Sequence, residues 1–333
     1  MIPVWLDCDT GNDDVFAILY CCFHPRIKLV GISTVHGNAP LEKTTHNTLV
    51  ILDTLRVDCP VYPGECKPLV NEGKFAFDIH GNQGLGGVDV SETTIRKPEL
   101  EISYLQAMKQ AIDENEKLCM VFTGALTNLS KLLTKYPKID SNLRYISIMG
   151  GGMNLGNISK YSEFNFNVDS HAANHVLQTV EDYKIILSPL NLTHQVRATK
   201  DIRNKILNPE NPTKFRLFFY NILVFYYNSY IDKYHDMDGP PIHDPVAVYS
   251  LFPWIDQNFD KYGYKSVNTR AKVIESGLKQ GQLVIDCDTG NEISIGTKIN
   301  CKLFWQLLLQ ILELAENHIN EENVTRDHNE LEF

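Results

Sequence analysis

Short apolar runs alternate with helix-like segments along the first half of the chain. Each run is mostly apolar and is bounded by polar or glycine residues, which is typical of a buried strand. The strand-like runs are residues 2–6, 28–35, 60–62, 118–122 and 145–149, and the helix-like segments are residues 15–20, 41–55, 102–115 and 126–133. Near-continuous apolar strands separated by helices predict an α/β fold with a mostly parallel, doubly wound central sheet that is flanked by helices.

The second half of the chain has a more helical pattern. Residues 215–234 form a long, aromatic-rich helical segment, residues 243–251 open another helix, and residues 303–316 form the last one. No linker-like stretch divides the chain, so we expect a single domain over residues 1–318. Residues 319–333 are polar and acidic, which predicts a frayed tail.

Composition and charge argue against several function classes. The chain has 333 residues, of which 43% are hydrophobic and 22% charged, and its net charge is −10 without a basic patch. This balance disfavours nucleic acid as a partner, because neutralisation of phosphates dominates that affinity. No apolar run reaches the length of a membrane span, and no secretory signal pattern begins the sequence, so we expect no membrane partner.

The eight cysteines are scattered and include no Cys-x-x-Cys pair, which argues against a zinc or redox motif. Free thiols are typical of a reducing compartment. We therefore expect a cytoplasmic protein, with the nucleus as a further location.

A cluster of carboxylates follows the first apolar run. Asp7, Asp9, Asp13 and Asp14 lie within eight residues, and Gly11 supplies a turn before the next helix. Such a cluster repels itself, and a hard divalent cation such as Ca²⁺ or Mg²⁺ is the simplest compensation because it takes several oxygen ligands. Alternatively, these acids serve as turn and helix-cap residues. Because ligands bind at the carboxyl ends of strands in open α/β sheets, the position favours a metal site.

Other predicted strands also end in polar side chains. Asn38 follows the second strand, Thr123 the fourth and Asn154 the fifth, so a parallel sheet would bring them to the edge that holds the acids. Farther along, Asn157 and the alternating segment 163–167 add carboxylate and amide groups. The alternation of segment 163–167 fits a half-buried strand equally well.

The sequence His243-Asp244-Pro245 combines a helix start with candidate chemistry. Asp followed by Pro is typical of a helix N-terminus, with Asp as the N-cap. That role leaves Asp244 able to face a metal. His243 beside it is a residue that can donate a proton near neutral pH.

These residues together resemble a known family. Residues 7–14, Asp-Cys-Asp-Thr-Gly-Asn-Asp-Asp, are similar to the amino-terminal signature of the inosine/uridine-preferring nucleoside hydrolases. Further motifs match that family in order and extend the resemblance over residues 2 to 310: Val35-His36-Gly37-Asn38, Thr123-Gly124-Ala125-Leu126-Thr127-Asn128, Met149-Gly150-Gly151-Gly152, Glu163-Phe164-Asn165 and His243-Asp244-Pro245. Within the family, the fungal uridine ribohydrolases are the group that this chain resembles most.

The resemblance implies a role for each matching residue. Members of the family hold one Ca²⁺ with the residues that match Asp9, Asp14, Asp244 and the backbone carbonyl of Thr123, while Asp7 resembles the acid that orders these ligands from behind. The ribose hydroxyls are held by the residues that match Asp13, Asn38, Asn157, Glu163 and Asn165. His243 resembles the histidine that assists the leaving base, His80 resembles a base-pocket histidine of members that act on pyrimidines, and Tyr230 and Tyr234 match two helix residues near the base.

The resemblance implies Ca²⁺-dependent hydrolysis of the N-glycosidic bond of ribonucleosides to ribose and free base, in nucleoside salvage. Ca²⁺ would hold the ribose diol and a water and lower the pKa of that water, and Asp9 would take its proton. Carboxylates and amides would stabilise the positive charge that develops on the ribose, while His243 assists the departing base. The resemblance also implies a homo-oligomer, either a dimer or a tetramer.

Two features depart from the family pattern. Thr10 stands where the family usually has proline, which predicts a slightly looser turn but no loss of metal, because Thr10 is not a proposed ligand. Residues 286–291 repeat the hexapeptide of residues 7–12, but Glu292 and Ile293 follow in place of the two aspartates that match Asp13 and Asp14. We interpret the repeat as a polar turn between late strands, with weak metal binding by its two acids as the alternative.

Two other function classes compete with nucleoside hydrolysis. Phosphatases of the haloacid dehalogenase type carry Asp-x-Asp-x-Thr and Mg²⁺ at the end of a first strand, but here Gly11 occupies the position of that Thr. A catalytically inactive nucleoside-binding relative is the second alternative, although Asp9, Asp14 and Asp244 are all present. Uridine is the expected substrate because His80 favours pyrimidines, with cytidine, inosine and a nicotinamide riboside left open.

Overall fold

The computed structural model describes residues 1–90, 94–235 and 238–330 as strands, helices and connecting loops. The strands are β1 (Ile2–Cys8), β2 (Ile27–Thr34), β3 (Val61–Pro63), β4 (Cys119–Phe122), β5 (Tyr145–Met149), β6 (Ile185–Ser188), β7 (Lys265–Val273), β8 (Leu283–Ile285) and β9 (Glu292–Lys298). The helices are α1 (Asp14–Phe23), α2 (Leu41–Leu55), α3 (Phe77–His80), α4 (Tyr104–Glu114), α5 (Thr127–Lys135), α6 (Phe164–Val168), α7 (Ser170–Thr179), α8 (Leu190–Thr193), α9 (Lys200–Leu207), α10 (Lys214–Tyr234), α11 (Asp244–Asp256) and α12 (Cys301–Glu330), with a 3₁₀ turn at Ile139–Asn142.

The strands form a sheet with the order β3-β2-β1-β4-β5-β6-β9-β7-β8. Strands β1 to β6 and β9 are parallel, whereas β7 pairs antiparallel with β8 and β9. The chain builds β2 and β3 on one side of β1 and then returns to place β4, β5 and β6 on the other side. This reversal creates a crevice at the carboxyl ends of β1 and β4, where doubly wound folds bind ligands. The mostly parallel, helix-flanked sheet confirms the predicted fold class.

Alternating side chains of β1 enter two different cores. Val4, Leu6 and Cys8 pack into the core that includes α1, α11 and α12, whereas Trp5 packs into the core that includes α4, α5 and α7. All four residues are almost fully buried. Because both faces of the central strands are covered, nearly every strand position is apolar, which explains the uninterrupted runs in the sequence.

Two segments differ from the sequence prediction. The half-buried strand considered for residues 163–167 is wrong, because this segment forms the short helix α6. The described part of the proposed tail is helical, because α12 continues through residue 318 to Glu330. No proline or glycine interrupts its polar second half, so nothing in the sequence stops the helix there. Residues 331–333 of the proposed tail lie outside the described residues.

None of the described helices is both long enough and apolar enough to cross a bilayer.

Candidate functional site

A cleft with an empty volume of about 610 Å³ lies at the crevice between β1 and β4. Its size falls in the range that is usual for small-molecule sites. The predicted site residues that line it are Asp13, Asn38, His80, Thr123, Asn157, Glu163, Asn165, Tyr230, Tyr234, His243 and Asp244. The chain therefore brings together residues that are separated by more than two hundred sequence positions, because each follows a strand end or begins or ends a helix beside this edge.

Three carboxylates meet at the edge of this cleft, which Asp13 and Asp244 line and Asp14 does not. Asp13, Asp14 and Asp244 each offer an oxygen atom, and these oxygens lie within 4.8 Å of one another. All three residues are buried. They come from the two helix starts that face each other here, α1 and α11, and α1 packs directly against α11. The geometry is that of a candidate cation site built from hard oxygen ligands.

The turn after β1 orients the acids through a dense hydrogen-bond network. Asp14 Oδ2 accepts from the backbone N–H of Gly11 at 2.8 Å and from Asn38 Nδ2 at 3.1 Å, and its Oδ1 accepts from the Thr123 hydroxyl at 2.8 Å. Asp9 Oδ2 accepts from the Asn38 backbone N–H at 2.7 Å. Asn38 therefore links Asp9 to the carboxylate group, although Asp9 is not among the three acids whose oxygens cluster most closely.

The charges of this group lack a compensating cation from the protein. No lysine or arginine among the described residues forms an ion pair with Asp9, Asp13, Asp14 or Asp244. Burial, and then the charge of Asp14, raises the pKa of both Asp9 and Asp13. Asp9 Oδ1 is buried and has no hydrogen-bond partner. An unpartnered buried carboxylate oxygen beside three clustered acids fits a divalent cation.

Asp7 lies behind the cleft rather than in it. It is fully buried, and its Oδ2 accepts hydrogen bonds from the Ser33 hydroxyl and, at 2.7 Å, from Asn128 Nδ2. Burial raises the pKa of Asp7 to about 7, although both hydrogen bonds lower it. The contacts tie the end of β1 to β2 and to α5, which agrees with a supporting position for this acid.

Thr10 is tied into the fold by its side chain. Its hydroxyl lies 2.7 Å from the hydroxyl of Thr48 on α2, and its carbonyl accepts from Asn47 Nδ2 at 3.1 Å. A Cβ at the next position, Gly11, would lie 2.5 Å from His80 Nδ1, so only glycine allows this close approach. The turn is thus held by contacts to α2 and α3, where the expectation from the missing proline was a looser turn.

Glu163 and two amides face the cleft from the loop after β5. Glu163 caps α6 and accepts from the backbone N–H groups of Gly151, Asn165 and Phe166 at 2.8 to 3.0 Å. Burial nevertheless raises the pKa of Glu163 to about 7. Asn165 Nδ2 donates to the Thr123 carbonyl at 2.7 Å, and the buried Oδ1 of Asn157 has no partner. Together they offer several polar groups to a ligand.

Two histidines and a tyrosine contribute hydrogen-bonding groups to the aromatic side of the cleft. The backbone N–H of His243 donates to Asp13 Oδ2 at 3.2 Å, and its ring Nε2 lies 2.9 Å from the Tyr230 hydroxyl. His80 Nδ1 accepts from the backbone N–H of Asn12 at 3.0 Å, which places the proton of the neutral ring on Nε2. Burial lowers the pKa of His80 to about 3. His80 is therefore a neutral hydrogen-bonding group near pH 7.

Sequence reasoning missed Tyr226, which also lines the cleft. Its ring centroid lies 5.6 Å from that of His80 and 4.9 Å from that of Tyr230. Tyr226 precedes Tyr230 by one helical turn on α10, just as Tyr230 precedes Tyr234. The repeat of tyrosines at a spacing of four, which places all three on one helix face, was the available signal.

The repeated hexapeptide forms a turn between β8 and β9, as predicted. Asp286 and Asp288 are exposed, and no group of three potential metal ligands forms there among the described residues. Asp286 Oδ1 accepts from the Thr269 hydroxyl at 3.0 Å, which gives it a structural contact.

The chain is similar in sequence to known nucleoside hydrolases. The family model described as inosine-uridine preferring nucleoside hydrolase matches residues 4–306. The uridine nucleosidase of Saccharomyces cerevisiae is 36% identical over 330 residues, covering 95% of this chain and 97% of that protein. The inosine-uridine preferring nucleoside hydrolase of Leishmania major is 33% identical over 326 residues, with coverages of 92% and 96%.

A solved structure of a ribonucleoside hydrolase is similar in fold to this chain. The purine-preferring ribonucleoside hydrolase from Gardnerella vaginalis superimposes with a TM-score of 0.84 at 25% identity, covering 94% of this chain and 99% of that chain. These matches exclude the phosphatase alternative and confirm the prediction of an enzyme that hydrolyses ribonucleosides. The chain belongs to the inosine-uridine preferring nucleoside hydrolase family.

Proposed function

We propose that this hydrolase cleaves the N-glycosidic bond of uridine to ribose and uracil, with Ca²⁺ as its cofactor. One observation carries the proposal: a single cleft combines clustered buried acids, polar groups suited to a ribose, and a histidine-tyrosine group suited to a base. Such a combination matches the three parts of the reaction, which are activation of water, stabilisation of a cationic ribose and departure of a base.

The cation would be held by Asp9, Asp14, Asp244 and the backbone carbonyl of Thr123, with Asp7 as the supporting acid. When bound, Ca²⁺ supplies positive charge that orients the ribose diol and a water and lowers the pKa of that water. The unpartnered Oδ1 of Asp9 supports the role of this carboxylate as ligand and as the base that takes the proton.

The ribose would be bound by Asp13, Asn38, Asn157, Glu163 and Asn165. Carboxylates and amide oxygens accept hydrogen bonds from ribose hydroxyls and also stabilise the positive charge that develops on the sugar ring. The free Oδ1 of Asn157 supports this assignment, because it is a buried acceptor without a protein donor. Glu163 is held rigidly by three backbone N–H groups, so little order is lost when it binds a hydroxyl.

The base would lie against His80, Tyr230, Tyr234 and His243. His243 assists the leaving base with a proton or a hydrogen bond, in concert with the Tyr230 hydroxyl that it contacts. Tyr234 donates from its hydroxyl to the Asn157 carbonyl at 3.3 Å, which joins the end of α10 to the loop after β5. The name of the similar yeast protein supports uridine as the substrate, and cytidine, inosine and a nicotinamide riboside are the other candidates.

The cellular setting follows from the chemistry. Free base and ribose are reusable products, so we propose a role in nucleoside salvage. The eight cysteines are all free, which supports a reducing compartment such as the cytoplasm. A homodimer or homotetramer is the proposed assembly, and sedimentation or light scattering would measure it.

Release of free ribose from a nucleoside panel tests this function. Uridine, cytidine, inosine and a nicotinamide riboside are incubated without phosphate, before and after treatment with a chelator, and Ca²⁺ or Mg²⁺ is then added back. We expect ribose from uridine at the highest kcat/KM, loss of activity on chelation, and recovery with Ca²⁺. If the protein binds uridine by calorimetry yet releases no ribose in the presence of Ca²⁺, the inactive nucleoside-binding relative is correct instead.

A further inference from the structure

Thr193 contacts His243 from outside the cleft. The last residue of helix α8, Thr193 is fully buried and does not line the cleft. Its Oγ1 lies 2.8 Å from His243 Nδ1. Because the other ring nitrogen of His243 lies 2.9 Å from the Tyr230 hydroxyl, both nitrogens of the imidazole are engaged. The ring is therefore fixed in orientation by two hydroxyl groups, one behind it and one beside the cleft.

The surroundings of Thr193 indicate which group donates. If His243 Nδ1 carried the proton, the Thr193 hydroxyl would accept it and would need another acceptor for its own hydrogen. The acceptor within reach is the Leu190 carbonyl, and its oxygen lies at a long 3.5 Å from the Thr193 hydroxyl. Donation from Thr193 to Nδ1 at 2.8 Å is the better hydrogen bond, and it places the proton of a neutral His243 on Nε2.

The tyrosines on α10 are compatible with that tautomer. The Tyr226 hydroxyl donates to the Tyr230 hydroxyl at 3.4 Å. The oxygen of Tyr230 can accept from both Tyr226 and His243 Nε2–H, since a phenol oxygen has two lone pairs. The hydroxyl hydrogen of Tyr230 is then available to a ligand in the cleft that Tyr230 lines. In this arrangement the hydrogen bonds run from Thr193 through His243 to Tyr230 and onward to the leaving base.

We propose that Thr193 is a positioning residue for the leaving-group step: it holds His243 in the Nε2–H tautomer and so directs the His243–Tyr230 pair at the departing base. The proposal rests on the proposed function for its kinetic consequence. Groups that fix the tautomer of a catalytic histidine act through orientation and not through contact with the substrate. The effect of losing Thr193 should therefore depend on how much help the leaving group needs.

Two variants and two substrates test the proposal. Thr193→Val keeps the branched shape but removes the hydroxyl, and Thr193→Ser keeps the hydroxyl. Uracil leaves as a poorly stabilised anion and needs a hydrogen bond or proton, whereas 4-nitrophenolate, released from 4-nitrophenyl β-D-ribofuranoside, is a stable anion. We expect Thr193→Val to lower kcat on uridine on the order of 10-fold, which is a part of the 10²–10⁴-fold that general acid catalysis supplies. Its kcat on the nitrophenyl riboside should stay close to the wild-type value, and Thr193→Ser should resemble the wild type on both substrates.

A second readout is independent of activity. Nitrogen-15 NMR of histidine-labelled protein distinguishes the two neutral tautomers, and we expect the Nε2–H form for His243 in the wild type and in Thr193→Ser, and a mixture in Thr193→Val. Equal losses on both substrates, an unchanged kcat on uridine in Thr193→Val, or an Nδ1–H wild-type signal would each overturn the proposal. Failure of the proposed function would appear differently, as a wild type that releases ribose from neither substrate, and the NMR measurement would still decide the role of Thr193.

Discussion

The same six residues, Asp-Cys-Asp-Thr-Gly-Asn, occur twice in this chain and adopt two different structures. Residues 7–12 cross the carboxyl end of the central strand β1 and are buried throughout. Residues 286–291 precede β9 at the periphery of the sheet, where both aspartates are exposed. Asp7 lies in β1 and pairs with β2 on one side and β4 on the other. Its counterpart Asp286 has a left-handed backbone with φ of 58°. An identical motif is thus buried behind the cleft in one place and forms a surface turn in the other.

Strand polarity explains the difference. β9 runs parallel to β6, so a turn that precedes β9 lies at the amino edge of the parallel sheet, opposite to the edge that holds the cleft. Ile293 occupies the position that corresponds to Asp14, and it is buried in the core around β5 and β7. A carboxylate there would be an unpaired buried charge. The motif becomes a site only where strand ends converge and partner residues such as Asp244 arrive from elsewhere in the chain.

The largest difference between the two copies should appear in turnover when equivalent aspartates are changed. Asp9→Asn keeps the acceptor for the Asn38 N–H but cannot take a proton from water, so kcat on uridine should fall on the order of 10²–10⁴-fold. Asp288→Asn, the matched change in the second copy, should leave kcat unchanged. Ribose release under saturating uridine and Ca²⁺ measures both, and similar kcat values for the two variants would refute the assignment of Asp9 as the base.

Calcium binding should also differ between the regions of the two hexapeptides. Asp14 is held by donors from Gly11, Asn38 and Thr123, so Asp14→Asn replaces one carboxylate oxygen by a donor without removing the side chain. Loss of a residue that only hydrogen-bonds to a metal ligand lowers metal affinity roughly 10–100-fold. Because Asp14 is proposed as a ligand itself, we expect the Ca²⁺ affinity of Asp14→Asn to fall by more than that. Calorimetric titration of metal-free protein gives the Kd, with Asp286→Asn as the control. Wild-type Kd in Asp14→Asn would show that the cation lies elsewhere.

A smaller effect concerns the helix that follows the first copy. His24 is the C-cap residue that follows α1. Its ring lies 5.3 Å from the Tyr20 ring and 4.4 Å from the Phe252 ring, and its Nδ1 accepts from the Arg26 backbone N–H. Burial, and then the charge of Arg26, lowers the pKa of His24 from its ordinary value to about 4. The unfolded chain therefore binds this proton more readily, so His24 contributes stability above about pH 6.5 that is lost as the pH falls toward 4.

Substitution of His24 should weaken the loss of folding stability at acidic pH. Between pH 7 and pH 5 the free energy of unfolding of the wild type should fall by about 1 kcal/mol more than that of His24→Gln, after allowance for solvent screening. Urea titrations at the two pH values, with Ca²⁺ absent, measure the difference. Parallel pH dependences in the two proteins would mean that His24 is protonated as easily when folded as when unfolded.

The smallest effect is expected from removal of both charges of the second copy. In the double variant Asp286→Asn, Asp288→Asn, the free energy of unfolding should stay within about 0.5 kcal/mol of the wild-type value, as is usual for exposed positions. The stoichiometry of Ca²⁺ binding should also stay the same. If one equivalent of Ca²⁺ disappeared from the titration, weak metal binding at the repeat would be correct after all.

Local pattern was enough to predict the parts of the fold that depend on local burial. The central strands are covered on both faces, so β1, β4 and β5 appear in the sequence as apolar runs with nearly correct bounds. The polar residues at their carboxyl ends could be assigned to one edge because parallel strands share polarity. The grouping of Asp13 and Asp14 with Asp244, across more than two hundred positions, depended on family resemblance, since no local pattern encodes it.

Other parts could not be predicted because tertiary packing decides them. The alternation in residues 163–167 suits a strand, but the Glu163 carboxylate accepts N–H groups at the start of α6 and so stabilises a helix there. Strand β9 lies between β6 and β7, an order that arises from packing and not from sequence neighbourhood. Thr193 has no motif of its own, and its contact with His243 becomes visible only when α8 and α11 are brought together.

The threonine in the turn after β1 has a consequence for the route by which the protein folds. A proline at residue 10 would restrict the backbone already in the unfolded chain, before any tertiary contact exists. Thr10 instead depends on Thr48, thirty-eight residues later, for the hydrogen bond that orders it. The hydroxyl contact that holds the turn before the acids therefore exists only when α2 is packed in place, whereas a proline would restrict the turn without it.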